Sequence, residues 1–229
     1  FTVSLPAQRF VEQLKEIGLV VASQTGDLAP ADGKLYALRD VTATVESLPL
    51  IAASVMSKKI AAGANVIVLD VKTGRGAFMK TEVDAVKLAN TMVEICQNVG
   101  RKVTAVISDM DQPLGNAVGN ALEVREAIET LKRQGPSDFL NLCLTVGAQM
   151  LLLAGKAAEA SEAKSILLTR LISGEALAKF RQWVVAQGGD PRVVDNPELL
   201  PKAAIVDVLT SPESGYISDI NAEVVGLTS

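Results

Sequence analysis

The sequence predicts an α/β fold in which a sheet is flanked by helices and a separate pair of helices is inserted between two strands. Short β-branched runs alternate with longer segments of helical period, and residues 33–64 contain two helical patterns in succession. Hydrophobic residues make up 48% of the 229 residues. That fraction is ample for the core of one large domain or two small ones.

Four runs have the composition of buried strands, because they are rich in Val, Ile and Leu and are bounded by turn residues. They are GLVVAS at residues 18–23, NVIVLDV at 65–71, RKVTAVIS at 101–108 and AAIVDVL at 203–209. We expect right-handed helical crossovers between the strands in the middle of the chain.

Two helices are predicted around the third strand, over residues 81–100 and 115–136. Thr81 and Asp84 have the spacing of a capping box at the start of the first. Five residues at helical spacing should form its inner face: Val83, Val86, Ala89, Val93 and Cys96.

Two further regions are helical without strands. Residues 33–47 and 47–63 are predicted as consecutive helices, with Ser47 able to cap the second. A helical pair inserted between strands often belongs to another lobe. Residues 137–187 form a longer run of three helical segments, and the first, 138–155, is apolar nearly all round and should be buried.

The composition excludes several classes of function. The chain has no histidine, so it contains no Ser-His-Asp triad, Cys-His pair, HExxH zinc site or imidazole base. A net charge of −4 and 3% aromatic residues argue against nucleic-acid and anionic membrane partners. No apolar run approaches the ~20 residues that cross a bilayer.

The cysteines bear on the redox compartment of the protein, and the first residue bears on whether the chain is part of a longer one. Cys96 and Cys143 lie in separate helical patterns, and we expect both to be small buried hydrophobic residues in a reducing cytoplasm. Because the sequence begins at Phe1 rather than Met, we expect it to belong to a longer protein, which could carry a histidine.

The helical pair carries the best candidate binding site. Tyr36 and Arg39 are three residues apart and share a helix face, as do Ser54 and Lys58, four apart. If the helices form a hairpin, the four side chains can converge. Their donors and aromatic face suit a flat polar ring such as a pyrimidine, whose edge offers two carbonyls and an N–H. The alternative is a solvated charged face with Tyr36 partly packed.

A glycine-rich turn after the second strand is a weaker candidate. In VLDVKTGRGAFMK, residues 68–80, backbone N–H groups could cradle phosphate. Met79 stands where a dinucleotide fingerprint needs glycine, which disfavours a nicotinamide oxidoreductase. The alternative is an ordinary tight turn between a strand and a helix.

Carboxylates after the third strand form another weak candidate. Asp109 and Asp111 follow the strand end, and Glu123 and Glu126 lie on the next helix, so a hard cation could bind there. The alternative is helix capping and a charged helix face. A glycosidase pair of Asp70 with Asp109 is weaker still, because nothing in the sequence sets their separation.

One long block resembles a known family. Residues 24–80, QTGDLAPADGKLYALRDVTATVESLPLIAASVMSKKIAAGANVIVLDVKTGRGAFMK, are similar to pyrimidine-nucleoside phosphorylases and thymidine phosphorylases. The likeness continues through ISDMDQPLGNAVGNALEVREAIETL to LPKAA and the SGY turn, so it covers essentially the whole chain.

The resemblance implies a pentosyltransferase. Such an enzyme cleaves uridine, thymidine or deoxyuridine with inorganic phosphate, giving the free base and a (deoxy)ribose 1-phosphate. It implies a cytoplasmic homodimer whose subunits each have an α/β lobe with a mixed sheet and a smaller all-α lobe, with the active site between them. Residues 1–33 then begin the α/β lobe, 34–64 belong to the helical lobe and 65–229 return to the α/β lobe, with 210–229 beginning a strand-rich C-terminal region.

The resemblance also assigns base-binding residues. Arg39 and Lys58 match the Arg and Lys with which the family binds the pyrimidine, so they are the expected catalytic residues. Tyr36 and Ser54 match further base-contacting positions. These residues would donate to the base as negative charge grows on it, and Ser54 would fix its register.

A potassium site and a phosphate site are implied as well. The family holds K⁺ with backbone oxygens and one glutamate, and the matching positions are Leu114, Ala117 and Glu126. The phosphate-binding motifs, the remaining potassium ligands and the active-site histidine of the family lie upstream of Phe1. We therefore expect the 229 residues alone to be inactive, and the longer protein to be a phosphorylase.

Other readings stay open at this point. A nucleoside hydrolase would use the same base contacts with water in place of phosphate. A non-catalytic pyrimidine-binding module would need no phosphate site. Arg75 stands where many relatives carry a small residue, with no predicted role. The residues do not separate thymidine-specific enzymes from those that also accept uridine.

Overall fold

The computed structural model describes residues 1–23 and 28–229. Within these ranges the chain forms two strands, nine α-helices and two short 3₁₀ helices. The elements, in chain order, are α1 (Ala7–Ile17), α2 (Pro30–Val41), α3 (Leu48–Ala61), β1 (Val66–Thr73), α4 (Glu82–Asn98), β2 (Lys102–Asp109), α5 (Asn120–Leu131), α6 (Ser137–Leu153), α7 (Ala160–Ile172), α8 (Glu175–Ala186), the 3₁₀ helices Pro191–Val194 and Pro197–Leu199, and α9 (Ala222–Thr228).

The two strands are adjacent and parallel. They pair in register from Val66 opposite Lys102 to Thr73 opposite Asp109. Parallel strands need a crossover connection, which α4 supplies. Both strands therefore end at the same edge of the sheet, and the loops that follow Thr73 and Asp109 start side by side.

One face of β1 forms the centre of the core. Ile67, Leu69 and Val71 are buried on this face, as the period of two in a strand requires. They pack against buried apolar residues of α3 and α4: Ala52, Met56, Ala85, Leu88, Ala89, Met92 and Cys96. This contact fixes α3, and with it one side of the candidate site, on the sheet.

The α/β class and the two central strands are confirmed, since β1 and β2 coincide with the runs at 65–71 and 101–108 to within two residues. The sheet of the described residues is parallel and two-stranded rather than mixed. Both predicted helices around β2 form, and the Thr81 hydroxyl accepts the N–H of Asp84 at 3.2 Å as an N-cap.

The predicted strand at 18–23 is wrong, because a side chain occupies its backbone groups. The buried amide of Gln187, just after α8, donates to the carbonyl oxygens of Thr2 at 2.6 Å and Val21 at 2.8 Å. Its Oε1 accepts the N–H of Val21 at 3.0 Å. The segment is therefore tied to α8 and leaves no ladder positions at Val21. Helix α1 before it has no counterpart in the sequence analysis.

The predicted strand at 203–209 is wrong as well. Its apolar residues are exposed, with Leu209 fully so, and the structure describes no strand beside it. Strand propensity largely reflects packing against neighbouring strands, which this segment lacks. The last element, α9, is a helix within the region 210–229 that was expected to begin with strands.

The inner face of α4 is rotated from the predicted one. Val83 and Val86 are exposed, whereas Ala89 and Cys96 are buried as predicted. The full buried stripe is Ala85, Leu88, Ala89, Met92 and Cys96. Val93, the remaining predicted residue, is half-buried. Apolar residues lie on both sides of this helix, so helical spacing alone does not decide which stripe faces the core.

Two other burial predictions fail in part. Only Leu144 and Ala148 of α6 are fully buried, so this apolar helix is half-covered rather than enclosed. Cys96 is buried as expected, but Cys143 is exposed on α6, and both are free thiols. Among the described residues, no helix is both long and apolar enough to cross a membrane.

Candidate functional site

Helices α2 and α3 bring the four predicted base-binding residues together. The Arg39 guanidinium carbon lies 5.2 Å from the centre of the Tyr36 ring, and Lys58 Nζ lies 5.9 Å from it. Lys58 Nζ also donates to Ser54 Oγ at 3.0 Å. Two cations from different helices thus lie within about 6 Å of the centre of one aromatic ring, a distance at which a cation is attracted to the ring. The predicted convergence of the hairpin is present.

Arg39 also has a structural role that the sequence did not indicate. Its side chain is only 6% exposed. It donates to the carbonyl oxygens of Thr44 at 3.4 Å, Leu50 at 3.3 Å and Val45. These bonds close the turn between α2 and α3. A guanidinium has five N–H donors, and these three bonds leave two of them unused.

Asp32 is a member of the site that sequence reasoning missed. It lies in the first turn of α2, is buried, and its Oδ2 is 3.1 Å from Lys58 Nζ. Its spacing held the signal: Asp32, Tyr36 and Arg39 are at i, i+4 and i+7 and so share one helix face. The carboxylate supplies a counter-charge and orients the ammonium.

The predicted potassium ligands lie in, or in contact with, the loop between β2 and α5. Glu126 on α5 is 8% exposed, and its Oε1 accepts the N–H of Asn116 at 2.8 Å. A Cβ on Gly115 would lie 2.2 Å from Glu126 Oε2, so the carboxylate rests directly on the loop backbone. Leu114 and Ala117 flank this contact in the chain.

This arrangement fits a large hard cation. In the described part of the chain, no hydrogen bond reaches Glu126 Oε2, and the loop beside it can offer carbonyl oxygens. No group of three or more Cys, Asp or Glu side chains that could hold a metal occurs in the described residues. A site there would therefore depend on backbone oxygens, as the resemblance implies.

The glycine-rich loop between β1 and α4 is not a phosphate cradle. Its successive N–H groups are all occupied: Gly74 donates to Met79 O at 3.0 Å, Arg75 to Asp111 Oδ1 at 2.9 Å, Gly76 to Met110 O at 2.9 Å and Ala77 to Gly74 O at 3.0 Å. A phosphate would have to break these bonds. The alternative, a tight turn between a strand and a helix, is correct.

The other carboxylates of the strand ends are also engaged. Asp109 Oδ1 accepts the N–H of Asp111 at 2.9 Å. Asp70 pairs with Lys72 at 2.7 Å and accepts from Ser108. Asp70 lies opposite Val106, three positions from Asp109, so their α-carbons are about 10 Å or more apart along the sheet. These contacts argue against the glycosidase pair.

A cleft of 610 Å³ runs between α3 and the edge of β1. One wall is formed by α3 residues that include Ile51, Val55 and Lys59, and the floor by residues 68–72 of β1. Residues 76–80 of the glycine-rich loop form the opposite wall. The cleft therefore borders the helix that carries Ser54 and Lys58.

A second cavity of 550 Å³ lies between α5 and α8. It is lined mostly by apolar side chains, among them Phe1, Phe180 and Trp183. Phe1 and Trp183 stack edge to face with ring centres 4.8 Å apart. Glu123, from the candidate cation site, lines it, but none of the predicted base-binding residues does.

Comparison with known proteins agrees with this architecture. The family model described as "Glycosyl transferase family, a/b domain" matches residues 1–177. The chain is 54% identical over 229 residues to pyrimidine-nucleoside phosphorylase of Staphylococcus aureus (strain USA300), covering 100% of this chain and 53% of that protein. It is 55% identical over 226 residues to pyrimidine-nucleoside phosphorylase of Geobacillus stearothermophilus, covering 99% and 52%.

The chain spans about half the length of the curated relatives it matches. The resemblance to pyrimidine-nucleoside phosphorylases is confirmed over essentially all of its residues. The match to the family model covers both strands, their crossover and the hairpin of α2 and α3. This chain therefore belongs to the glycosyl transferase family, in its a/b domain.

Proposed function

We propose that this chain supplies the pyrimidine-binding part of a pyrimidine-nucleoside phosphorylase. The observation that carries the proposal is the meeting of Arg39 and Lys58 at the ring of Tyr36, with Ser54 bonded to Lys58. A Staphylococcus aureus protein that matches the chain from end to end has that name. The reaction is a pentosyl transfer from the base to phosphate, yielding free base and a (deoxy)ribose 1-phosphate.

The chemistry follows from where charge develops. Cleavage of the N-glycosidic bond leaves negative charge on the base, mainly on its carbonyl oxygens. Lys58 and the unused N–H groups of Arg39 donate to those oxygens and bind the departing base more tightly than the nucleoside. One such donor contributes about 3 kcal/mol to the transition state. Ser54 sets the register of the base.

Neighbouring groups hold the side chains of Lys58 and Arg39 in a fixed orientation. Asp32 holds the ammonium of Lys58, and three carbonyls of the α2–α3 turn hold the Arg39 guanidinium. A donor that is already ordered loses little entropy when the base binds. The ring of Tyr36 is partly exposed and offers an aromatic surface beside both cations.

We propose in addition that K⁺ is held at the loop of Leu114 and Ala117, with Glu126 as its carboxylate ligand. The ion would supply positive charge that braces the loop after β2. We also propose a homodimer in the cytoplasm, as the resemblance implies. Sedimentation of the full-length protein would test the dimer, and a single-subunit mass would contradict it.

The proposed reaction is tested by release of the base. The full-length protein is incubated with uridine or thymidine, with and without phosphate, and free base is measured by chromatography. We expect release only with phosphate, together with formation of the sugar 1-phosphate. Equal release without phosphate would establish a hydrolase instead. No release in either condition would contradict an enzymatic role.

The same assay on the 229-residue chain should show no turnover. In the described residues, the one loop with a phosphate-binding composition has its N–H groups occupied by the protein. The glycine-rich loop therefore offers no preformed phosphate-binding site near the base-binding residues. Turnover of the isolated chain at a hundredth or more of the full-length rate would contradict this expectation.

A further inference from the structure

The C-terminal residues 219–223 rest on the glycine-rich loop through Arg75. The guanidinium donates two bonds to the carboxylate of Asp219, one of them from Nη1 to Oδ2 at 2.8 Å. A third bond reaches the carbonyl oxygen of Ile220 at 3.2 Å. Two parallel bonds to a carboxylate fix its direction as well as its distance. The hydrogen bonds and charge of Asp219 correspondingly raise the pKa of Arg75, and Arg75 lowers the pKa of Asp219.

A third segment, the turn after β2, joins the same network. Asp111 accepts the backbone N–H of Arg75 on its side chain and that of Ala222 on its carbonyl oxygen, both at 2.9 Å. Lys80, at the far end of the loop, donates to the carbonyl oxygen of Arg75 at 2.7 Å and to Glu223 at 3.2 Å. Three separate segments thus meet at Arg75.

Close packing supports these polar contacts. A Cβ on Gly76 would lie 2.7 Å from Cβ of Ala222, so the start of α9 sits directly against the loop backbone. Ala222 is buried. On the other side, a Cβ on Gly74 would lie 2.7 Å from the backbone nitrogen of Asp111. The loop is therefore enclosed between α9 and the turn after β2.

The held loop is also a wall of the cleft. Residues 76–80 line it opposite α3, and Glu223 of α9 lines the same cavity. Phe78, at the middle of this wall, is 62% exposed. A shift of the loop would change the width of the cleft beside the helix that carries Lys58.

We infer that Arg75 is a positioning residue, which locks residues 219–223 to the glycine-rich loop and so fixes the cleft wall opposite α3. Its effect on substrate binding rests on the proposed function. The locking itself does not, because it is a property of the contacts within this chain. The two parts can therefore be tested separately.

The locking is tested by amide hydrogen exchange in the full-length protein with Arg75→Ser. The amides of Gly74, Gly76 and Ala77 should exchange about tenfold faster, since loss of the clamp lets the loop open locally. Arg192→Ser is the matched control, because Arg192 also makes a bidentate exposed pair, with Asp190, away from the loop. Unchanged loop exchange in Arg75→Ser, or equal acceleration in Arg192→Ser, would overturn the inference.

The effect on the cleft is tested by kinetics with uridine and saturating phosphate. Arg75→Ser should raise KM for uridine several-fold with a smaller change in kcat, and Arg75→Lys should recover part of the loss.

Asp219→Asn should also raise KM for uridine. The double variant, Arg75→Ser with Asp219→Asn, should be no worse than Arg75→Ser alone, because both substitutions remove the same contact. Additive losses would contradict the shared contact. If the wild-type protein released no base, the proposed function would fail while the exchange result still decided the locking.

Discussion

Lys58 is the most direct test of base recognition at the scale of one residue. Lys58→Ala in the full-length protein should lower kcat/KM for uridine by about 10²-fold, the scale of losing one transition-state donor. Lys58→Ala also removes the counter-charge of the buried Asp32 carboxylate, so its melting temperature should fall, and activity is compared at a temperature where the variant is folded. Lys34→Ala on α2 is the control, since Lys34 is exposed.

Phosphorolysis by Lys58→Ala at the wild-type rate would contradict the assignment. Arg39→Ala should cost at least as much activity and should lower the melting temperature as well, because its guanidinium closes the α2–α3 turn. Activity measured well below the melting temperature of each variant separates the loss of a donor from the loss of the hairpin geometry.

Glu126 gives a second prediction for a single side chain. If its carboxylate binds K⁺, the melting temperature of the full-length protein should rise when Na⁺ is exchanged for K⁺, because a ligand of the native state stabilises it. Glu126→Ala should lower the melting temperature in K⁺ and abolish the difference between the two salts. A K⁺-dependent gain that persists in this variant would exclude Glu126 as a ligand.

The sequence predicts the residues of the hairpin site better than their contacts. Spacing alone places Tyr36 with Arg39 and Ser54 with Lys58. It does not show that Arg39 also holds three carbonyl oxygens, because that depends on how the α2–α3 turn folds back. The spacing of Asp32 from Tyr36 and Arg39 could have placed it in the site. A carboxylate in the first turn of a helix is ordinarily explained by its favourable interaction with the helix dipole, so it does not by itself indicate a binding residue.

At the scale of elements, two glycines provide a matched pair of substitutions. Gly115 and Gly155 both have left-handed backbones, with φ of 72° and 65°. A Cβ on Gly155 meets open space, whereas one on Gly115 would displace the Glu126 carboxylate. Gly155→Ala should cost about 1 kcal/mol, the backbone strain alone.

Gly115→Ala should cost about 3 kcal/mol, because it adds the loss of the bond between Glu126 and the Asn116 N–H. Urea unfolding of both variants measures the difference. Equal costs would mean that the loop moves away from Glu126 without penalty.

Strands were predicted correctly where the local sequence pattern is sufficient to define them. The prediction failed where a contact with a distant part of the chain determines the backbone conformation. β1 and β2 are bounded by turns and paired with each other, so their composition was sufficient. Residues 18–23 have the same composition, but the side chain of Gln187 binds the backbone of Val21, and no local pattern reveals a contact 166 residues away.

At the scale of the whole molecule, the absence of histidine shapes the response to pH. Several exposed carboxylates have a lowered pKa in the folded state, from hydrogen bonds and nearby charges. Asp84 bonds to Thr81, Asp190 to Arg192, Asp195 to Arg181, Glu198 to Lys202 and Asp219 to Arg75. A lowered pKa contributes stability that is present above the unfolded value and is lost as pH falls through the folded one.

For the 229-residue chain, the free energy of unfolding should therefore be flat between about pH 5.5 and 8 and should decline below about pH 4.5, where carboxyl groups titrate. Urea midpoints across that range measure it. A midpoint that changes appreciably between pH 6 and 7 would contradict the expectation, since no side chain with a pKa ordinarily in that interval is present.

The exposed segment at 203–209 has a consequence for how the chain behaves at high concentration. Ile205, Val206, Val208 and Leu209 form a short β-prone stretch without proline, and Asp207 is its single charge. Such stretches stack between molecules into cross-β fibrils. We expect the charge of Asp207 to oppose such stacking, because a charge within a β-prone stretch disfavours aggregation. Asp207→Val should shorten the lag before thioflavin fluorescence rises, and an unchanged lag would show that the segment is protected.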